Sequence, residues 1–196
     1  MNSVVSKLQH RTWTKDAYLI STDPSLIPIT TLNTAFASED VYWAKPLPEQ
    51  VMRETLQNSL CFGLYELDRS TSANVKDTAT VASGPTPRFV GIARCITDFT
   101  TFIYLTDVYI DPVYQGKGLG TWLVSCVQEV VESMPYLRRS LLFTGDWKRS
   151  VPFYEKIMGM TVLESRRGKD GESGEGLAVL MRKGKGDPSI KARVGT

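Results

Sequence analysis

From Leu119 to Val131 the residues Leu119, Trp122, Leu123, Cys126, Val127, Val130 and Val131 recur at steps of three and four, laying one apolar stripe along a helix. Pro135 marks its end, since proline cannot continue the intrahelical hydrogen-bond ladder. Just upstream, TFIYLTDVYID (101–111) is β-branched and aromatic on both faces, which predicts a strand in the middle of a sheet. AYLIST (17–22), CFGLYEL (61–67), RFVGIARCIT (88–97), RRSLLFTG, MTVLES and GLAVLMRK predict further strands. Three more helices follow from the same logic. One covers 25–37 after an Asp-Pro turn, and one runs behind Pro48 with Val51, Met52, Leu56 and Leu60 on its face. The last is KRSVPFYEKIMG, closed by Gly159.

This pattern places one domain over 17–183, preceded by an extension (1–16) and followed by a basic tail (184–196) with little reason to fold. Residues 68–87 have too little apolar bulk to pack and read as a mobile hairpin insertion, a solvated loop rather than a lid.

Composition narrows the chemistry. A chain of 196 residues that is 42% hydrophobic can bury one proper core. A net charge of +2 is too mild to argue for a nucleic-acid surface. Cys61, Cys95 and Cys126 lie far apart in apolar runs, so they read as reduced core residues. The single histidine, His10, excludes His-dependent triads and multi-histidine metal sites, and no metal is expected. Neither a leader nor a membrane span is recognisable, which predicts a cytoplasmic protein with a nuclear location left open.

The densest chemical signal is DPVYQGKGLGTWL, where Gly116, Gly118 and Gly120 alternate between the central strand and the striped helix. A phosphate P-loop requires G-x-x-x-x-G-K-[ST], but Lys117 falls between the first two glycines. A dinucleotide fingerprint requires a glycine where Thr121 stands. The physics of an anion cradle survives both failures. A strand that turns through glycines into a helix aims unpaired N–H groups and the positive helix end at one point.

Gln115, Gly116, Lys117, Gly118, Leu119 and Gly120 match the Q/R-x-x-G-x-G/A signature of the GNAT (Gcn5-related) N-acetyltransferases, and PFYEKIMGM resembles that family's F/L-Y-x-K-x-G-F segment. The resemblance covers about 17–183. It implies an α/β (α+β) fold with a mixed, mostly antiparallel, twisted sheet of six to seven strands flanked by about four helices. It also implies acetyl-CoA as the acetyl donor. The donor's diphosphate would sit on Gln115 to Thr121, and its pantetheine arm would lie beside Val108, Tyr109 and Ile110 like an added strand. Tyr154 occupies the position that often carries the general acid in this family. The segment ahead of it departs from the usual N-x-x-A, having Trp147 and Ser150, so Asp146 is the candidate for the contact that the asparagine usually makes.

For a base, the residues themselves offer Asp107, a carboxylate within an apolar strand on the expected side of Leu105 and Tyr109. Burial there would raise its proton affinity; the alternative is a structural carboxylate that orients the amine. Tyr42 and Trp43, adjacent aromatics in a polar connector, are the candidates for substrate binding. The expected activity is acetyl transfer to a primary amine by direct attack in a ternary complex. The rival is an acyl-CoA sensor without turnover. The acceptor's identity and homodimer formation stay open.

Overall fold

Unbroken burial from Leu60 to Tyr65 explains the third strand first: Leu60, Phe62 and Leu64 face one apolar layer, while Cys61 and Tyr65 face another. Both sides of the sheet are therefore covered. The computed structural model describes residues 7–67, 87–166 and 175–183; the expected insertion, apart from Pro87, and the basic tail lie outside them.

The strands are β1 (Thr12–Lys15), β2 (Tyr18–Ser21), β3 (Leu60–Glu66), β4 (Arg88–Thr97), β5 (Phe102–Ile110), β6 (Arg139–Thr144), β7 (Thr161–Arg166) and β8 (Glu175–Lys183). They form one sheet in the order β1-β2-β3-β4-β5-β6-β8-β7. Each pairing is antiparallel except β5 with β6, whose parallel pairing needs a long crossover. The striped helix supplies it. The helices are α1 (Ile29–Phe36), α2 (Glu49–Gln57), α3 (Leu119–Ser133) and α4 (Ser150–Met158). Leu32, Phe36, Met52 and Leu56 of α1 and α2 pack on one face, and Leu123, Val127, Val130 and Met158 of α3 and α4 on the other.

Eight strands replace the expected six to seven. The additional edge strand β1 comes from the leading residues, whose polar TWTK carries little strand signal and is held by side chains instead. Trp13 stacks on Phe62 at 5.8 Å, and its indole N–H donates to Glu129 Oε2 at 2.8 Å. Arg11 pairs with the same carboxylate. The expected first helix is also divided. A 3-10 turn occupies Pro24–Leu26, Ile27 is extended, and α1 starts after Pro28, which restricts its predecessor to extended backbone and lacks an N–H.

All three cysteines are buried and free. Burial pushes the Cys61 thiol up to about 12 and that of Cys126 to about 11, and raises Cys95 too. Among the described residues no helix is long and apolar enough to cross a membrane.

A bulge in β5 decides what reaches the site. Ile92 faces Tyr109 and Arg94 faces Thr106, so Asp107 and Val108 together oppose Ala93. Asp107 takes φ +47°, a left-handed conformation that aspartate tolerates better than most residues. The extra residue reverses the alternation. Leu105 packs in the α3 layer and Tyr109 in the α1–α2 layer, contrary to the expected common side for Leu105, Asp107 and Tyr109. Val108 and Ile110 turn instead toward α3.

Candidate active site

Parallel pairing of β5 with β6 runs from Phe102↔Arg139 to Leu105↔Leu142 and then stops, although both strands continue. On its other edge β6 stays paired with β8 from Arg139↔Lys183 through Thr144↔Ala178. Strands β5 and β6 part, and a cleft of about 200 Å³ opens between Thr106–Val108 and Phe143–Gly145. Backbone on the β6 side of residues 106–110 is left without a strand partner there.

At the upper end of the cleft β5 enters the glycine turn. Asp111 accepts the N–H of Val113 at 3.0 Å, and the Gln115 amide donates to the Ile110 carbonyl at 3.0 Å, so the turn is tied to the strand. Gly116 and Gly118 take φ +77° and +75°, where a side chain is strained; Gly120 lies inside α3, near Ile110. No side chain caps the start of α3. Its first N–H groups therefore face a groove of about 720 Å³, whose walls include Val108, Ile110, Gln115, Gly118, Leu119 and Thr121. Gly116 and Gly120 also line it. Two expected members lie apart from its walls. The Lys117 ammonium stands over the Tyr114 ring at 4.6 Å, and Tyr109 lines a hollow beside α1 on the opposite face.

Tyr154 sits where the groove meets the cleft and lines both. Its ring packs edge-on to Phe153 at 5.0 Å, and no described residue hydrogen-bonds its hydroxyl. Burial, and then the neighbouring Cys95 and Tyr42, hold the phenol above its ordinary range, so it stays protonated through neutral pH.

Asp107 lies on the cleft's other wall. Its Oδ2 accepts from Arg94 Nε at 2.6 Å, with the two side chains 10% and 15% exposed, and Thr106 Oγ1 lies 3.3 Å from Oδ1. Arg94 also donates to Ser59 Oγ at 3.0 Å. The carboxylate is thus paired and fixed, not isolated among apolar groups.

A family model described as "Acetyltransferase (GNAT) family" matches residues 40–160, more than half of the chain. The chain belongs to the GNAT acetyltransferase family. The Gibberella zeae protein named "Putative acetyltransferase FG08082" is 38% identical over 175 residues, covering 86% of this chain and 91% of that protein. A crystal structure of a "putative acetyltransferase belonging to the gnat family" from Xanthomonas campestris pv. campestris is 29% identical with a TM-score of 0.56, over 76% of this chain and 87% of that one. Spermidine N-acetyltransferase from Vibrio cholerae, solved in complex with CoA and spermine, shares the fold at a TM-score of 0.59 and 11% identity, over 87% of this chain and 97% of that one.

In this GNAT acyltransferase the connector between α1 and α2 arches over the cleft. Tyr42 and Trp43 meet edge-to-face at 5.1 Å, 69% and 43% exposed, so the pair faces the opening and does not seal the core. Both line the groove and the cleft. Asp146 lines the groove too, but its carboxylate accepts the Arg149 N–H at 3.0 Å and Arg149 Nε at 2.7 Å, contacts that hold it below the usual carboxylate range. Phe153 and Arg149 also line the groove and Arg94 braces Asp107 at the cleft, and none of them was expected there from the sequence. Only Arg94 carried a visible signal, as a charge inside an apolar strand opposite another strand with a charge of the other sign.

Proposed function

We propose that this GNAT protein transfers the acetyl group of acetyl-CoA to a primary amine by direct attack within a ternary complex. One observation carries the proposal: a continuous passage runs from uncapped helix N–H groups, along an unpaired strand edge, to a protonated phenol and a fixed carboxylate.

The glycine turn and the start of α3 receive the donor's diphosphate through backbone N–H groups, with Gln115 bracing the turn and Lys117 free to leave the Tyr114 ring for a phosphate. The backbone of residues 108–110 pairs with the amide-bearing arm, as an edge strand pairs with an added one. A main-chain N–H near Val108 polarises the thioester carbonyl. The amine nitrogen forms the new bond to the acetyl carbon while the carbon–sulfur bond breaks. Tyr154 gives its proton to the departing sulfur. Asp107, steadied by Arg94, orients the amine and receives its proton directly or through water.

The test uses Gly118→Val. A β-branched side chain is a severe misfit at φ +75°, and relieving the strain moves the turn out of the binding conformation. Restoring it on binding costs about 1–2 kcal/mol, so calorimetry should show the acetyl-CoA dissociation constant rising about tenfold or more. A Cβ at Gly118 meets nothing within 4 Å, so the strain is confined to the turn's own backbone and no clash adds to it; thermal unfolding reports whether the variant is folded. Unaltered affinity would place the donor elsewhere.

A further inference from the structure

Behind the Arg94–Asp107 pair lies a second chamber, of about 300 Å³, which the donor groove does not use. Its inner wall is Leu32 and Phe36 of α1, Met52 and Leu56 of α2, and Ile92 of β4, each at most 6% exposed. Leu47 and Ala44 complete it on the connector side. Trp43, Thr106 and Asp107 line both this chamber and the cleft that holds Tyr154, so the two spaces meet at the carboxylate.

Charge bookkeeping limits what can enter. The chamber offers one carboxylate, Asp107, against two cations, Arg94 and Lys45, and Arg94 already occupies one carboxylate oxygen. A single ammonium at the mouth can be met by Asp107. A second or third ammonium, pushed inward, would face leucine, methionine and phenylalanine side chains and like charge, and an unpaired ion in such surroundings is costly. An alkyl or aryl body gains there, since it removes apolar surface from water. The volume falls at the small end of ordinary ligand pockets, which suits one ring or a short branched chain.

Resting on the acetyl-transfer reading above, we infer that the acceptor is a monoamine carried on a compact apolar body. Its amine lies between Asp107 and Tyr154, and its body fills the chamber behind them. Ala44 sets the size limit and Leu47 helps exclude polyamines.

The experiment measures acetyl-CoA binding by calorimetry and, with the full chain, coenzyme A release for phenethylamine, 3-methylbutylamine, spermidine, putrescine and a lysine-containing peptide. The two apolar monoamines should exceed the others in kcat/KM by about tenfold or more. Ala44→Phe should raise the KM for phenethylamine by about tenfold, with retained acetyl-CoA affinity reporting an intact fold. Leu47→Glu adds a carboxylate at a position 37% exposed and should shift the selectivity toward spermidine. If acetyl-CoA binds and polyamines or the peptide are preferred, the inference fails while acetyl transfer stands. The inference also fails if both variants leave selectivity unchanged. Acetyl-CoA binding without turnover of any amine, or no binding at all, overturns the inference together with the reading beneath it.

Discussion

Replacing Tyr154 by phenylalanine is expected to lower kcat by about 10²–10⁴-fold, the usual worth of a positioned proton donor, while leaving the dissociation constant for acetyl-CoA within about twofold. The prediction is sharp because the hydroxyl has no hydrogen-bond partner among the described residues. The ring's packing against Phe153 survives the substitution. The melting temperature should therefore stay nearly constant, and a lost rate cannot be blamed on a damaged fold. Steady-state rates with calorimetry of donor binding check this directly; an undiminished kcat removes Tyr154 from the mechanism. The pH profile gives a second check. Burial raises the phenol above its free value of 10.0, so the protonated form persists where exposed tyrosine would already ionise. A limb of kcat/KM that reflects loss of this acid should lie above pH 10. A limb well below that value would belong to another group.

The largest effect on stability is expected at Asp107. Removing one partner of a buried ion pair leaves the other charge uncompensated, a loss of about 3–5 kcal/mol. Arg94 is only 15% exposed and would keep one contact, to Ser59. Asp107→Asn is the cleanest variant, because asparagine tolerates the left-handed backbone at this position. Thermal unfolding should fall by about 10 °C for a chain of this size. Asp107→Ala adds the cost of placing alanine at φ +47°, roughly 1 kcal/mol more. The pair Arg94→Met with Asp107→Asn should recover part of the loss, giving a coupling in a double-mutant cycle. Simple additivity would show that the ion pair contributes nothing. Turnover measured well below each variant's melting temperature separates the roles. A large drop in kcat for Asp107→Asn supports handling of the amine's proton, whereas an unchanged kcat leaves only the structural role.

Much of this architecture is legible in the residues. The stripe from Leu119 to Val131, the two-faced run in β5 and the glycines between them locate the crossover and its turn without any coordinates. Those signals are local, and local physics reads them. The break at Pro28 is legible in principle too, since its ring dictates what precedes it. Two features are not. The bulge at Asp107 leaves no mark beyond an aspartate, and it reverses which of Leu105, Val108 and Tyr109 face the groove. The parting of β5 from β6 after Leu105↔Leu142 is a matter of pairing between distant segments, which local patterning does not report. Likewise β1 is held by Trp13 and Arg11 reaching Glu129, more than a hundred residues away, and nothing in TWTK announces it. The aromatic pair Tyr42–Trp43 was visible as a composition anomaly, but its place above the cleft came from the connector's path.

The sealed cysteines have a practical consequence for anyone following this chemistry by colour. A disulfide reagent added to the native protein meets Cys61 and Cys95 at 0% and Cys126 at 3% exposure, so absorbance tracks only the sulfur leaving the donor. Add denaturant and three further equivalents appear. The same cuvette then calibrates how much intact catalyst it held.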